Sequence, residues 1–123
     1  TIQKGYHAGT LGGTPLTSHV AAHVVERIAD PAFLASVRAK GELLMKLLLE
    51  RKLAHVQAIR GRGLIVGLEL DCDVAPLVRA GHAEGILFLG AGPRVLRLLP
   101  PLVISESQIE TAVGLIDRVL KTA

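Results

Sequence analysis

Apolar residues recur every three to four positions in two consecutive stretches early in the chain, which predicts two helices. The first helix runs from Pro15 to about Ile28 and follows Thr14, whose side-chain oxygen can cap its first turn. The second helix runs roughly from Ala32 to Leu53, after the pair Asp30-Pro31. Gly41 lies inside it, where glycine costs about 1 kcal/mol relative to alanine. We therefore expect another element to approach Gly41 closely.

Two further helices are predicted in the second half of the chain. One extends from Asp73 to about Glu84 and ends at Gly85, a typical helix-terminating residue. The other begins at Ser105, which forms a capping box with Gln108, and continues to about Leu120. Its apolar side, predicted to face the core, consists of Ile109, Val113, Ile116 and Leu120.

The remaining apolar runs are short and predict strands. They are Val56–Arg60, Leu64–Leu70, Ile86–Leu89 and Val95–Leu99. We expect Gly61–Gly63 to form a flexible joint, and the strand after it to be covered on both faces because both carry apolar residues. The pattern as a whole predicts an α+β fold, a small three- to four-stranded sheet packed with helices.

The amino-acid composition indicates that another domain or subunit covers part of the surface. Half of the 123 residues are apolar and only 2% are aromatic, and the mean hydropathy is +0.44. These values favour an apolar face that contacts another domain or subunit. The charge of +3 is scattered, and no apolar run approaches membrane-spanning length, so we expect neither nucleic acid nor a membrane as partner. The single cysteine, Cys72, indicates a reducing compartment, and we expect a cytoplasmic protein.

The glycine-rich stretch Gly9–Pro15 carries the first candidate chemistry. It leads through a turn into a helix N-terminus, which favours anions, and Thr10 adds a hydroxyl donor. A phosphate contact and a plain capped loop both remain open on this evidence. His19 and His23 lie four residues apart on the first helix, a spacing that lets two imidazoles share a metal ion. No third ligand forms a motif with them, so we expect no metal site.

Three segments in register resemble the class III aminotransferases, which use pyridoxal phosphate. They are His7–Leu16 (HAGTLGGTPL), Arg60–Glu69 (RGRGLIVGLE) and Val95–Leu102 (VLRLLPPL). Leu11 stands where the family usually has an aromatic residue, and Thr14 where it usually has asparagine. Each segment alone is a weak signal, but their order and separations also match those of the family.

The resemblance implies particular roles for three residues. Thr10 and Gly9 would contact the pyridoxal phosphate of the neighbouring subunit of a homodimer, Thr10 through its hydroxyl. Arg97 would hold the α-carboxylate of the amino-acid substrate, which suits its planar guanidinium. Arg60 and Arg62 have no such role in the family, and we expect them to form salt bridges at the rim. The family members most alike act on N-acetylornithine in arginine biosynthesis and transfer its amino group to 2-oxoglutarate. Members that act on ornithine and on 4-aminobutyrate follow closely in resemblance.

The resemblance also implies a division of labour within a longer enzyme. Residues 1–14 would be a loop from the side of the large domain, and residues 15–123 the C-terminal small domain. The lysine that binds the cofactor belongs to the large domain, so we expect no catalytic residue in this chain. Two alternatives remain: a non-catalytic module that pairs through its apolar face, and a sensor that binds a phosphate ligand at Gly9–Pro15.

Overall fold

The computed structural model describes residues 9–122; the first eight residues of the predicted loop over residues 1–14, and Ala123, lie outside the described residues. The chain forms two compact units that divide between Ala35 and Ser36, within the second helix. Each unit is described by itself below.

The first unit contains helix α1, Pro15–Ala29, and the start of helix α2, Pro31–Glu50. As predicted, α1 begins at Thr14, whose Oγ1 accepts a hydrogen bond from the Thr17 backbone N–H at 3.4 Å. Asp30 caps α2 in the same way, because its Oδ1 accepts from the Ala32 N–H at 2.9 Å. None of the α1 residues is buried. Its predicted apolar stripe is therefore exposed, as the 75% exposed Leu16 illustrates.

The second unit is an antiparallel sheet with helices on one face, which confirms the predicted α+β fold. Its elements after α2 are β1 (Val56–Arg62), β2 (Ile65–Leu70), α3 (Val74–Ala83), β3 (Leu89–Gly90), β4 (Val95–Leu98) and α4 (Glu106–Leu120). The strand order is β1-β2-β4-β3, with every neighbouring pair antiparallel. Both predicted ends of α4 are confirmed, and Ser105 and Gln108 form the complete capping box.

The core lies between one face of this sheet and the helices. Val66, Leu68, Leu96 and Leu98 point into it from β2 and β4. They pack in one cluster with Leu70 of β2 and with side chains of the helices and loops, which are Leu44, Leu48, Leu53, Leu64, Val74, Leu77, Phe88, Ile109, Val113, Ile116, Val119 and Leu120. The residues predicted to face inward from α4 are all among them. Burial of this largely aliphatic set is the main source of stability that the described residues show.

Gly41 has the close neighbour that its position predicts. A Cβ on Gly41 would lie 2.6 Å from the carbonyl oxygen of Gly63. Gly63 itself adopts φ of 57°, a left-handed conformation that favours glycine, in the turn between β1 and β2. The two glycines together let the turn of the hairpin lie directly against helix α2.

The structure corrects four details of the sequence prediction. Gly61 and Arg62 are not a flexible joint but belong to β1, because they pair with Val66 and Ile65 across the hairpin. The predicted strand Ile86–Leu89 is reduced to Leu89–Gly90. Helix α2 ends at Glu50 rather than Leu53, and Lys52 adopts φ of 45°, which no α-helix continues.

The fourth correction concerns the cover of β2. Only one face of this strand is buried, and Ile65 on the other face is 59% exposed. The expectation of cover on both faces came from parallel sheets, which carry helices on each side. This sheet is antiparallel, and its second face is open among the described residues.

Candidate functional site

The open face of the sheet holds the candidate site. Arg60 of β1 and Arg97 of β4 both pair with Gly67 of β2, from opposite sides. Strand residues that face one another share a face of the sheet, so the two arginines flank a position without a side chain. A depression of about 490 Å³ lies here, lined by Arg60, Gly61, Arg62, Ile65, Val66, Gly67, Ala91, Val95 and Arg97.

Arg97 is the residue of this depression that can receive a ligand carboxylate. Its neighbours Leu96 and Leu98 are buried in the core, so strand alternation turns Arg97 to the open face. No carboxylate of residues 9–122 forms an ion pair with it. A guanidinium in this position can bind a carboxylate through two parallel hydrogen bonds.

Gly67 supplies space beside Arg97. A Cβ at this position would lie 3.3 Å from Cγ1 of Val95, which is tighter than ordinary packing. Val95 therefore packs closely against Gly67. A larger side chain here would also fill the floor of the depression between the two arginines.

Glu69 is a site residue that sequence reasoning missed. Its Oε2 lies 2.7 Å from Arg60 Nη2, so the carboxylate neutralises the guanidinium on the far side of Gly67. The expected rim salt bridge is thereby confirmed for Arg60. Arg62 has no such partner among the described residues. The alternation of β2 places Gly67 and Glu69 on one face, but only the register of the hairpin shows that Arg60 is near.

The charges of this face favour anions. From the part of the chain that the structure describes, it carries three guanidinium groups, those of Arg60, Arg62 and Arg97, and the carboxylate of Glu69. A concave surface with an excess of one charge attracts ligands of the opposite charge. The face is therefore suited to an anionic ligand, with Arg62 and Arg97 as the guanidinium groups that have no carboxylate partner among the described residues.

Thr10 and Gly9 lie in the first unit, in the turn before α1. The Gly12 N–H donates to the Gly9 carbonyl at 3.4 Å, and the Thr17 hydroxyl donates to the Leu11 carbonyl at 2.8 Å. These bonds tie the turn to the helix. The Thr10 side chain is exposed, and its hydroxyl takes part in no hydrogen bond within residues 9–122. A free hydroxyl donor beside a helix N-terminus has the chemistry that a phosphate group requires.

The remaining candidates from the sequence have no supporting geometry. His19 and His23 are exposed on α1, and neither belongs to a group of three possible metal ligands within residues 9–122. As for membranes, the helices between Gly9 and Thr122 lack the length and apolar character needed to cross one.

Comparison with known proteins identifies the family. The family described as aminotransferase class-III matches residues 1–120. An acetylornithine aminotransferase of Bacillus cereus is 40% identical over 99% of this chain and 32% of its own length. A mitochondrial acetylornithine aminotransferase of Alnus glutinosa is 43% identical over 90% of this chain and 25% of its own length.

A solved structure shares the fold. The crystal structure of a Bacillus anthracis aminotransferase superimposes with a TM-score of 0.84 and 28% identity, over 96% of this chain and 30% of that one. The chain thus spans about a third of the length of the relatives it matches. The match over residues 1–120 shows that this chain belongs to the class III aminotransferases.

Proposed function

We propose that this chain is the part of a pyridoxal-phosphate-dependent aminotransferase that holds the carboxylate of the substrate. The observation that carries the proposal is Arg97, which has no ion-pair partner among residues 9–122 and lines an open depression rich in positive charge. In this role Arg97 binds the α-carboxylate with two hydrogen bonds and fixes the orientation of the substrate. The Arg60–Glu69 pair keeps the neighbouring guanidinium from competing for the same carboxylate.

The turn before α1 fits a contact with the cofactor phosphate. Thr10 offers an exposed hydroxyl, and the positive φ of 78° at Gly13 brings the turn into the N-terminus of α1. In the proposal Thr10 donates to the phosphate and Gly9 allows its close approach, across the interface of a homodimer. The cofactor, when bound, supplies the electron sink that lets an amino group move between carbon skeletons. The lysine that carries it would come from the two thirds of the enzyme that this chain does not span.

We further propose N-acetylornithine as the amino donor and 2-oxoglutarate as the acceptor, as in arginine biosynthesis. The names of two relatives that are 40% and 43% identical to this chain support this donor. A cytoplasmic location is proposed from the single cysteine, Cys72. The division into a loop over 1–14 and a small domain over 15–123 likewise stays a prediction.

The experiment is an absorbance spectrum of the natural protein that contains this chain, loaded with pyridoxal phosphate. Addition of N-acetylornithine is expected to shift the cofactor band, and 2-oxoglutarate is expected to restore it. Ornithine and 4-aminobutyrate serve as matched comparisons. At equal concentration, each is expected to shift the cofactor band less than N-acetylornithine does. A natural product of this length that shows no cofactor band would contradict the enzyme proposal.

A second candidate function is a non-catalytic module that pairs through an apolar face. The exposed stripe of α1 favours it, with Leu16, Val20, Val24, Val25 and Ile28 all at least 40% exposed. Stripes of this kind are typical of contact surfaces. Sedimentation of the chain distinguishes this candidate, since a monomer at all concentrations would contradict it. Replacement of Val20 and Val24 by Ser is expected to weaken any self-association by at least tenfold.

A further inference from the structure

Three side chains with different ligand atoms meet at one end of the β1–β2 hairpin. His55 lies just before β1, and Asp71 and Cys72 follow the end of β2. His55 Nδ1 lies 2.9 Å from Asp71 Oδ1. The ligand atoms of all three residues, including Cys72 Sγ, lie within 4.8 Å of one another. None of the three lines the depression at Arg97.

The backbone holds these ligands in place. The Asp71 N–H donates to the His55 carbonyl at 3.0 Å, which extends the pairing of the hairpin by one bond. The adjacent pair Val56 and Leu70 belongs to the sheet itself. His55 also adopts φ of 62°, a conformation that the surrounding structure must maintain. The two ligand-bearing segments are therefore fixed to each other before any ion binds.

A fourth residue orients the carboxylate. Gln57 Nε2 donates to Asp71 Oδ2 at 3.5 Å, while Oδ1 faces His55. A residue that hydrogen-bonds to a metal ligand fixes the orientation of that ligand. Replacement of such a residue commonly lowers the affinity for the metal by about 10- to 100-fold. Asp71 thus presents Oδ1 toward His55, while Oδ2 is occupied by Gln57.

The ligand atoms restrict which metal ions can bind. They are one imidazole nitrogen, one carboxylate oxygen and one thiolate sulfur. Zinc binds all three types at about 2.0 to 2.3 Å, which places tetrahedral ligands roughly 3.5 Å apart. The spacing here needs only small side-chain rotations to reach that arrangement. The His55 and Asp71 side chains are 36% and 48% exposed, which leaves room for a water molecule as fourth ligand.

We propose that His55, Asp71 and Cys72 bind a divalent transition-metal ion of the zinc class. This departs from the expectation of no metal site, which considered only His19 and His23. The sequence hides the cluster, since His55 and Asp71 are 16 residues apart and only the hairpin register joins them. On binding, the ion replaces the Asp71–His55 hydrogen bond, and the Cys72 thiol releases its proton.

The test is a titration of the full 123-residue chain, with Cys72 reduced, using Co²⁺ as a spectroscopic substitute for Zn²⁺. One equivalent is expected to give visible ligand-field bands and a sulfur-to-cobalt charge-transfer band, both removed by Zn²⁺. The nearly isosteric Cys72→Ser is expected to abolish the charge-transfer band. His55→Asn, which tolerates the positive φ, and Asp71→Asn are each expected to weaken binding at least tenfold.

A matched control separates this site from the other histidine pair. The double variant His19→Asn, His23→Asn removes two exposed imidazoles of α1 and is expected to leave the titration unchanged. Loss of binding in this control, or a charge-transfer band that survives Cys72→Ser, would overturn the proposal, as would a titration without saturation. Zn²⁺ is also expected to raise the Tm of the parent chain and not of the Cys72→Ser chain.

Discussion

The Arg60 guanidinium lies 2.7 Å from the Glu69 carboxylate on the open face of the sheet. Arg97 lies on the same face, beyond Gly67, with no carboxylate partner among the described residues. One of two similar cations is therefore neutralised by the protein and the other is left for a ligand. This difference in pairing distinguishes Arg97 from Arg60. Arg62 also lacks a carboxylate partner among the described residues, and the family resemblance assigns the proposed role to Arg97 rather than to Arg62.

Glu69→Gln is expected to create a second free cation beside Arg97. Removal of the carboxylate frees Arg60, so the natural enzyme should bind dicarboxylate inhibitors several-fold more tightly relative to monocarboxylates. Stability should change by less than about 1 kcal/mol, because the pair is largely exposed. Inhibition constants for succinate and acetate measure the effect. Glu110→Gln, on the exposed side of α4, is the control, and an equal change in both variants would contradict the role of Glu69.

Arg97→Lys is expected to impair substrate binding although it keeps the positive charge. Lysine cannot form two parallel hydrogen bonds with a carboxylate, so kcat/KM of the natural enzyme should fall by about 10- to 100-fold. Steady-state kinetics with the amino donor measure this loss. Arg62→Lys, which changes a neighbouring guanidinium of the same depression, should have a smaller effect. A greater loss for Arg62→Lys would transfer the proposed role to that residue.

Thr10→Val is expected to weaken cofactor binding by the natural enzyme. Valine has nearly the shape of threonine but no hydroxyl, and a hydrogen bond to a charged phosphate contributes about 1.5 to 3 kcal/mol. The dissociation constant of pyridoxal phosphate should therefore rise by about 10-fold or more, as measured by absorbance titration. Thr10→Ser keeps the donor and should restore most of the affinity. Equal affinities of the two variants would argue against the contact.

Gly41→Ala and Gly114→Ala are expected to change stability in opposite directions. A Cβ at Gly41 would meet the Gly63 carbonyl at 2.6 Å, whereas at Gly114 it would meet nothing within 4 Å. Overpacking at Gly41 should lower the free energy of unfolding by about 1 to 3 kcal/mol. Alanine at Gly114 in α4 should raise the free energy of unfolding by up to about 1 kcal/mol. Urea unfolding of the chain measures both. Stabilisation by Gly41→Ala would contradict the close contact of α2 with the hairpin.

Leu68→Ala and Ile65→Ala compare the two faces of strand β2. Leu68 is 0% exposed and Ile65 is 59% exposed. Truncation of the buried leucine should lower the free energy of unfolding by about 2 to 5 kcal/mol. Truncation of the exposed isoleucine should lower it by less than about 1 kcal/mol. Chemical denaturation of the chain tests this difference. A comparable cost at Ile65 would show that the open face is covered, for instance by self-association.

Local patterns were sufficient to predict the four helices and most of their ends, although α2 ends at Glu50 rather than at the predicted Leu53. The spacing of Ile109, Val113 and Ile116 identifies the buried side of α4, and the pair Ser105 and Gln108 marks its start. These signals act within a few residues, where helix geometry brings positions three and four apart together. The same kind of local reading identified the family through the segments around Thr10, Arg60 and Arg97. The roles it suggested for Thr10 and Arg97 stay predictions.

The sequence by itself therefore determined the element types and the α+β class, and the family resemblance pointed to Arg97. Tertiary structure alone decided which side chains meet across strands. The Arg60–Glu69 pair depends on the hairpin register, and so does the meeting of His55 with Asp71 and Cys72. The physical reason is that strand pairing joins residues far apart in the chain, and a shift of one position would turn each side chain to the other face.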